Sequence, residues 1–302
     1  MSHENVSRIE RIPPRTSLLS EGLTVSRALP YRGRRTIGAW CFLDHLGPKA
    51  FDADQGMHVG AHPHTHLQTF TWMIEGEVMH RDSLGSEQIL RPGQVNLMTA
   101  GSGISHTEDS LHAGKRLHAA QLWIALPASV ADCAPAFEHY PQLPVWADGD
   151  VQCTLMAGKY GDYTAPTRVH SALLGMELLT DKPEAGITLS LDPSFEYGLM
   201  PLEGRITLLG EDGQPLAEVF GKDELAYVPP GLQCIHVQLS SHARVLVLGG
   251  IPFTDPLVMW WNFVASSMDA IRSYRQEWES GSPRFGQVPG GEYRRLPAPM
   301  LA

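Results

Sequence analysis

Two short stretches hold the residues whose types and spacing could do chemistry: His62-Pro63-His64-Thr65-His66 and, further on, Ser105-His106-Thr107-Glu108. Side chains alternate along an extended chain. His62, His64 and His66 therefore project to one face, and His106 and Glu108 share a face of their own strand. Two such pairs on facing strands can converge on one point inside a barrel. Three imidazoles and one carboxylate suit a first-row divalent cation, Fe(II), Ni(II), Co(II), Mn(II) or Cu(II), and leave room for water or substrate. Thiolate-poor surroundings argue against a structural zinc site.

A lone histidine is more often a satisfied core or surface residue, and eight of the 14 histidines fall between His58 and His118. The matched spacing of the two pairs, each beside a turn, is what favours the metal reading. His66 is read as a group of the pocket, with ligation the lesser alternative. His58, His80 and His112 have no histidine or glutamate at the matching spacing and are read as structural or exposed. There is no G-x-S-x-G elbow and no phosphate-binding P-loop.

The text between the two stretches predicts strands and tight turns. Thr69 to Ile74 is β-branched and aromatic, Val78 to Asp82 resumes after Glu75-Gly76-Glu77, and Val95 to Ala100 follows Arg91-Pro92-Gly93. Strands are also predicted between Gly22 and Pro48 and over Arg116 to Leu126. Prolines 127, 135, 141 and 144 mark a connector. Beyond it the short-strand rhythm returns at 151–157, 169–179, 186–191, 205–209, 225–228 and 244–248. Glu203-Gly204 echoes Glu75-Gly76, and Pro229-Pro230-Gly231 is taken as the counterpart of Arg91-Pro92-Gly93. A helix is predicted after Ser266-Ser267, with Met268, Ile271, Tyr274, Arg275 and Trp278 on one stripe and Gly281-Ser282-Pro283 as its stop.

The 302 residues, 43% of them hydrophobic, suffice for two ordinary cores. The formal net charge of −10 argues against non-specific DNA binding, and Arg32-Gly33-Arg34-Arg35 reads as a hairpin turn. Cys41, Cys133, Cys153 and Cys234 lack metal-site spacing and read as small hydrophobes. No secretory signal or membrane span is visible, so the expected compartment is the cytoplasm.

These residues resemble the pirin family of the cupin superfamily. The matching text is His62-Pro63-His64, Glu75-Gly76-Glu77, His80-Arg81-Asp82-Ser83-Leu84-Gly85, Arg91-Pro92-Gly93 and the run from Met98 to Glu108. Flanking matches at 28–30, 42–48, 157–161 and 259–264 extend it over nearly the whole chain. The resemblance implies an all-β bicupin: two face-to-face jelly-roll β-barrels and a short C-terminal helix. Residues 1–130 would form the metal-binding barrel, and 131–302 a barrel without a metal site plus the helix and tail. Carried over residue by residue, the ligands are His62, His64, His106 and Glu108. Iron(II) is the first expectation, with Ni, Cu, Mn, Co or Zn as alternatives.

In the second half, the stretch from Phe195 to Leu209 contains no histidine, and His236 lacks a partner at the matching spacing. One departure stands out. Pirins commonly carry Arg-Gly-Phe-Glu after the second histidine, where this chain has Thr65-His66-Leu67-Gln68.

The implied activity is that of a quercetin 2,3-dioxygenase, which opens a flavonol or a similar enolic aromatic with O2 and releases carbon monoxide. Glu108 would be the general base. The alternative is an iron-binding, redox-responsive regulator acting through protein partners. The expected partners are thus a small aromatic and O2, with a protein partner on the second reading. No nucleic acid and no membrane is expected, and the chain is expected to be a monomer.

Overall fold

The computed structural model describes residues 9–20, 23–53, 55–111, 114–290 and 295–301, so His112 and Gly22 lie outside the described residues. The chain packs as two units. One comprises residues 1–15, 26–43 and 143–253, the other residues 16–25, 44–142 and 254–302.

The first unit contains an antiparallel seven-stranded sheet in the order Glu10–Ile12, Leu225–Val228, Glu196–Glu203, Arg244–Gly250, Leu173–Leu179, Val151–Ala157, Val145–Asp148. A three-stranded sheet, Glu184–Ser190, Cys234–Ser240 and Ile206–Leu209, packs on it. Leu155, Met176, Leu199 and Val247 of the large sheet share one core with Ile187, Leu208, Val237 and Leu239 of the small one. Strand Glu184–Ser190 alternates strictly between exposed and buried positions, the pattern of a sheet with one face on a core and one in water.

In the other unit, Leu67–Glu75 and Arg116–Ala125 lie at the centre of a seven-stranded sheet. Its order is Ala136–Tyr140, Val95–Thr99, Leu67–Glu75, Arg116–Ala125, Trp40–Ala50, Leu23–Leu29, Arg15–Ser20. A four-stranded sheet, His58–His64, Ile104–Ser110, Val78–Asp82 and Glu87–Leu90, carries both motif stretches. Met73, Leu117 and Ala119 from the larger sheet pack with Val59, Val78 and Leu90 from the smaller.

The all-β class and the short C-terminal helix hold, but the expected closed β-barrels do not. Among the described residues, no pairing joins the two ends of any sheet, so the strands form open sheets stacked in pairs. Closure requires tilt and stagger to stay consistent around a ring. Here the ladders are broken by register shifts at His106/Glu108, His118/Ala119, Leu155/Ala157 and Pro201/Glu203. The edge strand His58–His64 is met by other chain instead: Leu296 N–H donates to Ala61 O at 2.8 Å, and just past the strand's end Thr65 bridges Phe263 of the short strand Phe263–Ala265. Covering an edge in this way satisfies backbone groups that would otherwise invite another strand.

Glu75-Gly76 and Glu203-Gly204 do correspond, each ending the strand before a tight turn with glycine φ of +91° and +73°. The other expected correspondence shifts by one turn. Arg91-Pro92-Gly93 precedes strand Val95–Thr99, whereas Pro229-Pro230-Gly231 follows Leu225–Val228. Its counterpart in strand order is therefore the turn from Ala100 to Gly103.

The helix spans Met268–Glu279, and the Ser267 side chain accepts from Ala270 N. Ile271, Tyr274 and Trp278 are its buried stripe. It ends at Gly281, φ +72°, whose N–H donates to Trp278 O. The tail then folds back onto the motif strands. Ser105 Oγ donates to Phe285 O at 2.8 Å, and Trp278 Nε1 donates to Leu296 O at 2.9 Å. No helix among the described residues is long and apolar enough to cross a membrane.

Candidate metal centre

Strand register brings the two motif stretches together. His62 stands directly opposite His106, and Ile104 opposite His64. On the other side of the same strand, His106 faces Asp82 and Glu108 faces His80. Directly opposed residues share a face, and alternate residues return to it. His62, His64, His80, Asp82, His106 and Glu108 therefore all occupy the same face of the four-stranded sheet. Ala61 and Ser105 take the opposite face, where the tail binds.

His62, His64 and His106 are 7%, 1% and 1% exposed. Ligand atoms from these three lie within 4.8 Å of one another. His62 Nδ1–H donates to Gly60 O at 2.8 Å, and His64 Nδ1–H donates to Asn262 O at 3.0 Å. Each of these neutral rings is thereby left with a bare Nε2. The Asn262 carbonyl belongs to the hairpin Val258–Trp260/Phe263–Ala265, which Thr65 also anchors by donating its hydroxyl to Val264 O at 2.9 Å. Trp123 sets its edge against His64, ring centroids 5.1 Å apart.

Burial favours the neutral form of each imidazole. It pushes the His62 pKa down from 6.5 to about 4. His64 and His106 are held well below the ordinary range by burial and by the repulsion that neighbouring charged imidazoles would add. His64 Nε2 and His106 Nε2 stand 3.2 Å apart. Two bare nitrogens at that distance repel unless a proton or a cation lies between them, and two imidazoles about 2.1 Å from one ion at roughly a right angle have nearly this separation. The donor set thus fits a divalent transition metal, and it is nitrogen- and oxygen-based as such ions require.

Glu108 joins the centre from the side. It does not fall in one group with His62 and His64, but shares a second group with His106 and His80, again within 4.8 Å. Burial raises its pKa, opposed in part by the nearby His80. His106 is common to both groups.

His80, whose spacing reads as structural or exposed, lies in the centre beside His106 and Glu108. It is 3% exposed, with Nε2 3.2 Å from Asp82 Oδ2 and its ring stacked on Phe137. A signal was present: His80 and Asp82 have the same two-residue spacing as the other pairs, with aspartate as the carboxylate.

His66 turns away from the other histidines. Its backbone takes φ +53°, and its Nε2 lies 2.9 Å from Asp132 Oδ1 and 3.1 Å from the Tyr274 hydroxyl. Positive φ costs a side-chain-bearing residue about 1–2 kcal/mol, so the backbone here is one that glycine would adopt more readily than histidine. Gln68 is fully buried, its Nε2 donating to Thr99 Oγ1 at 2.9 Å. His58 is exposed and pairs with Asp109. His236 is third in its strand, as His106 is in its own, yet it lies on the outer face, 3.1 Å from Thr188 Oγ1. A one-residue change of facing suffices to remove a side chain from the interior. The cysteines are all free, with Cys41 and Cys153 buried.

The family model described as pirin matches residues 22–124, and that of the pirin C-terminal cupin domain matches residues 178–286. A Pseudomonas aeruginosa protein named "Putative quercetin 2,3-dioxygenase" is 50% identical over 99% of this chain and 92% of its own. The crystal structure of a quercetin 2,3-dioxygenase from Acinetobacter baumannii is 45% identical, with a TM-score of 0.92, covering 98% of this chain and 96% of that one. A bacterial pirin from Escherichia coli in complex with nickel(II) shares the fold at a TM-score of 0.63 and 19% identity, over 81% of this chain and 100% of that one. Both halves are matched and the similarity runs end to end: the chain belongs to the pirin family.

Proposed function

We propose that this protein is a metal-dependent dioxygenase of the quercetinase type, opening a flavonol or a similar enolic aromatic with O2. The observation that carries this reading is the convergence of three buried, neutral imidazoles beside a carboxylate of raised basicity. The Pseudomonas and Acinetobacter relatives bearing quercetin dioxygenase names support it. We assign His62, His64 and His106 as ligands through Nε2 and Glu108 as the carboxylate ligand, with iron(II) as the resident ion. The cytoplasm is the compartment that goes with this assignment.

When bound, the divalent ion supplies Lewis acidity, lowering the pKa of a substrate hydroxyl and stabilising the developing oxyanion. The protein's own groups do the rest. The Gly60 and Asn262 carbonyls hold His62 and His64 in the tautomer that leaves Nε2 bare. Glu108 accepts the enolic proton of the substrate through a carboxylate oxygen, a step its raised pKa favours. The edge of Trp123 and the stacked Phe137 ring give the centre apolar neighbours that keep it poorly hydrated.

The test pairs elemental analysis of protein purified without a metal-affinity tag with oxygen uptake on quercetin. Stoichiometric transition metal and uptake abolished in His62→Ala are expected. Glu108→Gln should retain metal and lose at least about 100-fold in turnover. Bound metal with no uptake across a flavonol panel would instead favour a redox-responsive protein acting through protein partners.

A further inference from the structure

His62 and His64 each lean on a backbone carbonyl, but His106 has a different support. Asp82 is fully buried, and its Oδ1 accepts from Leu84 N at 2.9 Å and Ser86 N at 3.1 Å, which fixes the carboxylate. Its Oδ2 lies 3.2 Å from His80 Nε2, and His80 Nδ1 lies 3.3 Å from His106 Nδ1. Phe137 stacks on the His80 ring at 4.3 Å and 13°, holding its plane. The three side chains form a line that ends at His106 Nε2.

We propose that Asp82 and His80 are positioning residues that set the tautomer of His106 and so expose its Nε2 to the metal. This rests on the assignment of His106 as a ligand. An ionised carboxylate only accepts, so the proton between Asp82 and His80 sits on His80 Nε2. With His106 assigned as a ligand through Nε2, its neutral ring carries the proton on Nδ1, and the facing His80 Nδ1 at 3.3 Å is the acceptor. The facing nitrogens bond only if one carries hydrogen, and that one is His106 Nδ1. Its Nε2 is then bare, like those of His62 and His64. Each histidine ligand is thus braced through its far nitrogen: two by carbonyls, the third by a carboxylate acting through an intervening imidazole. Such outer partners typically contribute about 10- to 100-fold in metal affinity.

The discriminating variant is Asp82→Asn. The asparagine oxygen can keep the two backbone bonds, while its amide now donates to His80 Nε2. The proton of His80 then moves to Nδ1 and that of His106 to Nε2, capping the ligand atom.

The experiment uses full-length protein labelled with 15N-histidine and loaded with 113Cd(II), and cadmium affinity is read by competition with a fluorescent chelator. In the wild type, 113Cd coupling to Nε2 of His62, His64 and His106 is expected, with a proton on His106 Nδ1 and no coupling to His80. Asp82→Asn should weaken cadmium binding about 10- to 100-fold. His80→Gln, whose side-chain oxygen can still accept from His106, should stay within a few-fold of wild type. Adding Asp82→Asn to His80→Gln should cost nothing further, whereas a merely structural role for Asp82 would persist in that background.

Coupling to His80, coordination of His106 through Nδ1, or an unchanged affinity in Asp82→Asn would overturn the proposal. The wild-type spectrum decides the first two without any variant. Absence of coupling at all three histidines would instead remove the ligand assignment on which it rests.

Discussion

Three neutral imidazoles in a dry centre make the stability of the metal-stripped protein depend on pH in a direction the structure specifies. His62 titrates near 6.5 in the unfolded chain and at about 4 in the fold. Below 6.5 the unfolded state takes up a proton that the folded state refuses, so stability falls as pH falls and is fully restored only above the unfolded value. Linkage between pH 7 and pH 5 gives about 2 kcal/mol for this one group. With a urea slope of about 3 kcal/mol per molar, the midpoint of the site-bearing unit should drop by about 0.6 M. His64 and His106, also lowered, add in the same direction. Glu108 acts oppositely, because its raised pKa lets the fold hold a proton more readily than the unfolded chain, and that gain appears only as pH approaches its own range. The assay is urea denaturation of chelator-treated protein at several pH values, alongside His62→Gln. The variant should show a pH slope smaller by about 2 kcal/mol across the same window. A flat or rising stability from pH 7 to 5, or an unchanged slope in His62→Gln, would refute burial of neutral imidazoles as its cause.

At position 66, where φ is +53°, His66→Gly should be more stable than His66→Ala by about 1 kcal/mol in a thermal melt, since both lose the Asp132 and Tyr274 contacts and only alanine keeps the strain. Gly101 combines φ +51° with a Cβ direction only 2.0 Å from the Cys133 carbonyl oxygen, so Gly101→Ala should lose about 3 kcal/mol or more. Gly213, φ +73° with nothing within 4 Å, is the control, and Gly213→Ala should cost about 1 kcal/mol by the same denaturation assay.

Much of the centre was legible because spacing on a strand is geometry. The two-residue repeat in His62/His64 and His106/Glu108 places each pair on one face whatever the rest of the chain does. The helix was legible for the same reason, since a serine cap, a stripe ending at Trp278 and a glycine stop act within a few residues of one another. Tertiary structure decided what depends on partners distant in sequence. Whether the strands close into barrels is set by bulges and by which chain covers an edge, and the tail does so through Leu296 and Ala61. Only the pairing of Ile104–Ser110 with Val78–Asp82 puts Asp82 and His80 behind His106. His66 follows the same alternation as its neighbours, yet its left-handed backbone breaks the repeat and hands its ring to Asp132 and Tyr274. Local chemistry nominated the candidate metal ligands, while long-range packing chose their companions, because a residue's face follows from its own strand but its neighbours follow from every strand that pairs with it.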